Sequence, residues 1–163
     1  MYNINDYVVY QYWVCKITDI TKLDYSDMGF DKDNTYYIMN SLFEKETFYI
    51  PTQNQASIRK PLTKKQAIEL IDLMPNITPI SKAIDEEYRN EIHHYNCYSY
   101  SKILKTVHQK SEALNKIGKR LSIVDSKYQH TAEKYLFDEL SFALNIEPKM
   151  VDNYIKRRIS VNN

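Results

Sequence analysis

The chain has 163 residues, 43% of them hydrophobic and 26% charged, with 22 Lys and Arg against 21 Asp and Glu. That length suits one domain or two small ones with a core that needs no disulfide staples. No apolar run reaches the roughly 18 residues of a membrane span, and the opening MYNINDYVVYQ lacks the basic and apolar regions of a secretory signal. Two cysteines, Cys15 and Cys97, fit a reducing, cytoplasmic setting, and Gly29 and Gly118 alone cannot build a P-loop or a dinucleotide fingerprint.

In chain order, the first sixty residues read as short strands. Residues 7–10, 14–17, 35–39 and 47–50 are rich in β-branched and aromatic side chains, with polar turn-forming stretches at 24–34 and 41–45 between them. That spacing predicts four or five strands in a small antiparallel barrel or a strongly bent sheet. Pro51 ends the last long strand and Pro61 marks a boundary.

From Thr63 the period becomes helical. Thr63 and Gln66 form a capping-box pattern ahead of the apolar stripe Ala67, Ile68, Leu70, Ile71 and Met74. Pro75 and Pro79 bracket a linker, and residues 85–94 form a second helix with an acidic head. A third helix is expected over 99–117, with Ile103, Leu104, Val107, Leu114 and Ile117 inward, lysines outward and Gly118 at its end. A fourth runs from near Ser122 to about Asn145 and presents Ala132, Tyr135, Leu136, Leu140, Ala143 and Leu144. Pro148 suits the first turn of a short final helix. The expectation is an α+β chain: a small antiparallel β module over 1–62, then an all-helical module over 63–160.

The near-zero net charge hides a split. Residues 1–62 carry six basic and eight acidic side chains, and 63–163 carry sixteen and thirteen. Between 99 and 130 the count is seven (Lys102, Lys105, Lys110, Lys116, Lys119, Arg120, Lys127) against two (Glu112, Asp125). Such a surface suits a phosphate backbone, because each neutralised phosphate releases condensed counterions; otherwise the lysines simply solvate a helix. His93, His94 and Cys97, with Cys15 or His108, invite a zinc reading, but adjacent histidines point to different helix faces and no second close ligand pair exists, so no metal is expected. Asp85, Glu86, Glu87 and Glu91 sit at a helix start, where negative charge favours the helix dipole, and no nucleophile carries a local signature. A small hydrolase or nuclease using His93, His94 and these carboxylates is the rival; no catalytic residue, cofactor or small-molecule substrate is expected. Of fifteen tyrosines and one tryptophan, most serve the β core, with Tyr12, Trp13, Tyr37 and Tyr49 as interface candidates.

Residues 5–10, NDYVVY, resemble the "G-D-x-V-V-Y" opening of the CarD/CdnL-like transcription regulators, whose first module is shared with the transcription-repair coupling factor. Val14-Cys15-Lys16-Ile17 continues as that family's second strand. Phe48-Tyr49-Ile50-Pro51, Asn54 and Ile58-Arg59-Lys60-Pro61-Leu62 resemble the module's exit. Arg120-Leu121-Ser122, Ala132, Leu136, Glu139-Leu140 and 143–146 are similar to the last long helix and its "E-L-A-L-A-L-G-I" ending. Two stretches depart: Tyr10-Gln11-Tyr12-Trp13-Val14 stands for a "Y-P-x-x-G-V" turn, and Ser81-Lys82-Ala83-Ile84 stands where many members carry a tryptophan wedge.

The resemblance implies a Tudor-like β module that binds the β subunit of bacterial RNA polymerase. It implies a helical module that holds promoter DNA, without strong sequence specificity, at the upstream edge of the melted region and modulates open-complex stability. It places polymerase contacts at Lys22, Phe48, Tyr49 and Arg59. DNA contacts fall at Arg89, Lys102, Lys105, Lys119, Arg120 and Lys127, with Ile84 as apolar wedge. The alternative is a diverged adaptor that keeps the polymerase module and has lost DNA contact.

Overall fold

The structure, a computed structural model, describes residues 1–162. The chain folds as two compact units, Met1–Pro61 and Leu62 onward. The first is a five-stranded antiparallel sheet and the second is helical, so the organisation is α+β.

The strands are β1 (Tyr7–Tyr10), β2 (Trp13–Lys22), β3 (Thr35–Ser41), β4 (Thr47–Pro51) and β5 (Ile58–Arg59), in the order β4-β3-β2-β1-β5. Alternation sends Val8, Cys15, Ile17, Tyr37, Met39, Ile50 and Ile58 into one core. β1 and β2 are joined by Gln11 and Tyr12, since Tyr10 pairs with Trp13. With no glycine in the turn, Gln11 itself takes the left-handed conformation, φ 54°. The register of β2 against β3 shifts between Ile17 and Asp19, which leaves Thr18 as a bulge and bends the sheet. The bend brings the rings of Tyr10 on β1 and Phe48 on β4 to 5.2 Å across two intervening strands, and Trp13 lies 5.6 Å from Phe48. The bent-sheet form, with edges at β4 and β5, is the one adopted. Tyr37 is 0% exposed and belongs to the core, which corrects its reading as an interface residue. Burial pushes the Cys15 thiol up to about 12, so it stays protonated and acts as a small hydrophobe.

The helices are α1 (Lys64–Leu73), α2 (Asp85–Ile92), α3 (Cys97–Asn115), α4 (Ile123–Leu144) and α5 (Pro148–Asn162). Thr63 Oγ1 accepts from Gln66 N at 3.2 Å while Gln66 Oε1 accepts from Thr63 N at 2.9 Å, the reciprocal cap expected from sequence. Thr63→Ala is expected to lower stability by about 1 kcal/mol in urea titration of the full chain, and Thr63→Ser to leave it nearly unchanged. Asn96 caps α3, which therefore begins two residues before the predicted start. It ends at Asn115 with Gly118 left-handed at φ 69°; Gly118 N donates to Asn115 O at 3.1 Å and Lys119 N to Leu114 O at 2.9 Å. α4 ends in the same pattern around Asn145, φ 55°.

The helical core holds Ala67, Ile71, Tyr88, Tyr100, Ile103, Val107, Ala132, Leu136, Leu140, Leu144 and Val151. Ile117 lies beyond the end of α3 and is 64% exposed, contrary to its assignment inward. The final helix is fifteen residues long rather than short. Arg158 Nε and a terminal guanidinium nitrogen donate to the two oxygens of Asp72 at 2.7 and 2.8 Å, pinning α5 to the end of α1.

Candidate functional site

In the β unit, Phe48 and Tyr49 are neighbours on edge strand β4, so alternation sends them to opposite faces. Phe48 packs half-buried against Tyr10 and Trp13, whereas Tyr49 is exposed, with Phe30 at 5.4 Å. Arg59 lies on the other edge strand, β5, where a terminal guanidinium nitrogen donates to the Lys60 carbonyl at 3.3 Å. The curl that joins Phe48 to Tyr10 also brings the two edges toward each other, because Tyr10 pairs with Ile58, next to Arg59. Lys22 is exposed at the far end of β2, opposite Thr35. Trp13 is half-buried in the aromatic cluster. The unit therefore offers an open strand edge, β4, that exposes Tyr49.

In the helical unit, the start of α2 is fastened to α3 and α4 by a buried carboxylate. Asp125, 1% exposed, accepts from Tyr88 Oη at 2.9 Å, from Lys110 Nζ at 2.8 Å and from Ser122 Oγ at 2.7 Å. Lys110 Nζ also reaches the Ala83 carbonyl at 3.4 Å. One turn along, Tyr128 Oη donates to Asp85 Oδ1 at 3.0 Å, and Arg89 pairs with the other oxygen of Asp85. The rings of Tyr88 and Tyr128 stack with centroids 5.0 Å apart. Burial alone would raise the Asp125 pKa, but the bonds from Lys110, Ser122 and Tyr88 outweigh it and hold the carboxyl below the usual range. The Tyr88 phenol is pushed up, first by burial and then by Asp125.

This network gathers one set of the DNA candidates. Ile84, 48% exposed just before α2, and Arg89 and Lys127 share an end of the unit with Lys119 and Arg120, which are exposed in the α3–α4 connection. Lys127 Nζ lies 5.2 Å from the Tyr128 ring centroid. Lys102 and Lys105 fall outside the group, nearer the start of α3, and each has an internal partner. Lys102 bonds Glu91 at 2.5 Å, and Lys105 bonds the Pro75 carbonyl at 2.7 Å. The lysines of α3 are therefore not uniformly outward. Glu86 and Glu87 keep the α2 side of this end acidic, so positive charge concentrates on the α3–α4 connection.

At the opposite end of α4, buried Glu139 accepts from Leu62 N at 3.0 Å and from Cys97 Sγ at 3.2 Å. His94 Nδ1 lies 3.3 Å from Glu91 and 3.2 Å from Ser99 Oγ, and the His93 ring lies against Tyr95 at 5.9 Å. Among the described residues no three His, Cys, Asp or Glu side chains converge to hold a metal ion, and no helix is long and apolar enough to cross a membrane. Sequence reasoning missed Tyr88, Lys110 and Asp125 as one unit; the hint lay in Ser122 and Asp125 standing at capping-box spacing.

Residues 2–62 match the family model described as the CarD-like/TRCF RID domain, an RNA polymerase-interacting module. That match spans the β unit from its second residue and ends at the first residue of the helical unit. No curated protein matches the chain.

Proposed function

With its amino-terminal module a member of the CarD-like/TRCF RID family, the chain is, we propose, a non-enzymatic bacterial transcription regulator that bridges RNA polymerase and promoter DNA. The β unit binds the polymerase β subunit through the β4 edge around Phe48 and Tyr49, with Lys22 and Arg59 as flanking cations. The helical unit rests on the DNA backbone near the upstream edge of the melted region, through Arg89, Lys119, Arg120 and Lys127 with Ile84 beside them, and Lys102 and Lys105 further along. It thereby modulates open-complex stability. The observation that carries this reading is the family match over residues 2–62. The cationic α3–α4 connection supports the DNA half, since phosphate contacts position a protein without reading sequence. Tethering to polymerase supplies the effective concentration that a few phosphate contacts lack.

Immobilised full-length protein is expected to retain bacterial RNA polymerase. Tyr49→Arg combined with Arg59→Glu should weaken retention about tenfold, as loss of a central aromatic anchor and a charge does at protein interfaces. Absence of retention by the unaltered chain would remove the whole reading. A specific observation favours a second one: Asp85, Glu86 and Glu87 lie beside Ile84. A polymerase-bound adaptor without DNA contact would leave the promoter footprint at the upstream fork unchanged, whereas the bridging protein extends protection there.

A further inference from the structure

The last helix carries an apolar stripe that its own fold does not cover. α5 lies against α1 and α4 with Val151 buried. Its final turn is tied down at Asp72, which accepts from Arg158 Nε at 2.7 Å and from the Asn162 side-chain amide at 2.9 Å. On another side of the same helix Met150 is 47% exposed and Val161 84%, with Tyr154 half-buried between them. Together with Arg157 these side chains line one open depression of about 420 Å³.

The spacing is that of a helix seam. From Met150 to Tyr154, Arg157 and Val161 the steps are four, three and four residues, which keeps the side chains in line as at the a and d positions of a coiled coil. The charges along the helix single out one member of that line. α5 holds Lys149, Lys156, Arg157 and Arg158 against Asp152. Lys149 pairs with Glu147 at 2.8 Å, Lys156 with Asp152 at 2.5 Å and Arg158 with Asp72 at 2.7 Å. Arg157 is exposed and has no carboxylate partner among the described residues.

We propose that this face of α5 is a docking seam for an acidic amphipathic helix of a partner protein. The partner's apolar residues lie on Met150, Tyr154 and Val161, while a carboxylate in its own seam meets the Arg157 guanidinium. A charged residue within an apolar seam costs stability against an apolar partner and is satisfied by an opposite charge, so it selects the partner as well as holding it. Arginine suits that task, because its planar fork matches both oxygens of a carboxylate. A second copy of the chain is the poorer occupant, since a net-positive helix would face itself. DNA is poorer too: three of the four cations are already paired, and phosphates gain nothing from Met150 and Val161. The seam is separate from the polymerase and DNA contacts above and does not depend on them.

The test uses the full chain and a fluorescein-labelled helical peptide about as long as α5, built of Leu, Ala and Glu. Leu fills its seam positions except for one central Glu, and two counterparts carry Gln or Lys at that place. By fluorescence anisotropy the unaltered chain is expected to bind the Glu peptide about tenfold more tightly than the Gln peptide, and the Lys peptide least. Arg157→Gln should remove the preference, and Arg157→Glu should invert it in favour of the Lys peptide, an exchange that a mere loss of fold would not produce. Met150→Ser with Val161→Ser should weaken all three peptides about tenfold and leave the circular dichroism spectrum unchanged, because both side chains are exposed. Binding to no peptide, a preference that Arg157→Glu fails to invert, or affinity unmoved by the serine pair overturns the seam. Sedimentation of the unaltered chain as a dimer that the serine pair dissolves assigns the face to a second copy and overturns it as well. Duplex DNA binding lost in Arg157→Glu, with no peptide bound, assigns the face to DNA and has the same consequence.

Discussion

Asp125→Ala is expected to destabilise the helical unit by about 3 to 5 kcal/mol, the range for removing one partner of a buried ion pair. Three side chains converge on this carboxylate, and its loss leaves the Tyr88 phenol without its acceptor and the Lys110 ammonium with only the longer contact to the Ala83 carbonyl. Tyr88→Phe removes a single donor and leaves Asp125 bonded to Lys110 and Ser122, so its cost should be nearer 1 to 2 kcal/mol. Asp125→Ala combined with Lys110→Met should cost less than Asp125→Ala alone plus Lys110→Met alone, because the double variant strands no charge. Urea unfolding followed by far-UV circular dichroism measures all four; additive costs would mean the network is not a unit.

The same carboxylate has a defined pH signature. Its folded pKa lies below its unfolded value, so its contribution is complete above the ordinary aspartate value of about 4 and is lost as pH falls through the lower, folded value. Glu91, also held low against its own burial by Lys102, Ser99 and His94, adds to the loss in the same direction. Stability of the unaltered chain should therefore fall on acidification in that window, and Asp125→Ala should flatten the fall.

Reversing three charges, Lys119→Glu, Arg120→Glu and Lys127→Glu, is expected to weaken duplex binding on the order of 100-fold at low salt and to reduce the salt slope by about 3, close to one unit per phosphate contact removed. Polymerase retention should be unaffected, and so should the circular dichroism spectrum, because all three side chains are exposed. Lys102→Glu provides the contrast. Lys102 neutralises Glu91, so reversal sets two carboxylates together and should lower stability, which the triple variant does not, while reducing the slope by only about 1. Fluorescence anisotropy across a salt series separates the two; an unchanged slope in the triple variant would remove the connection from the DNA surface.

Local chemistry makes much of this fold readable. The reciprocal cap at Thr63, the helix start at Ser122, and the stops at Gly118 and Asn145 each depend on residues a few positions apart. The β strands are legible for the same reason, though β2 runs on to Lys22 through a bulge at Thr18 that no pattern announces. Long-range satisfaction is not legible. Tyr88 and Lys110 lie 37 and 15 positions from Asp125, and a lysine that serves a buried carboxylate looks in sequence like one that serves solvent. Ile117 escapes its inward pattern because the helical register continues past the end of α3, where the Gly118 turn rotates it outward. Tyr37 misleads because a tyrosine on a strand can equally face core or partner, and here its place opposite Ile50 puts it inside.

The bond from Leu62 N to Glu139 joins positions 77 apart in the chain, and this has a bearing on how the protein matures on the ribosome. Every strand pairing of the amino-terminal sheet closes within the first 59 residues, so that piece can complete itself while translation continues. The bond at Leu62 cannot, because its acceptor lies 77 positions later in the chain. A nascent chain should therefore carry a finished sheet ahead of an unsealed helical segment, and resistance to protease should be acquired in two steps in that order.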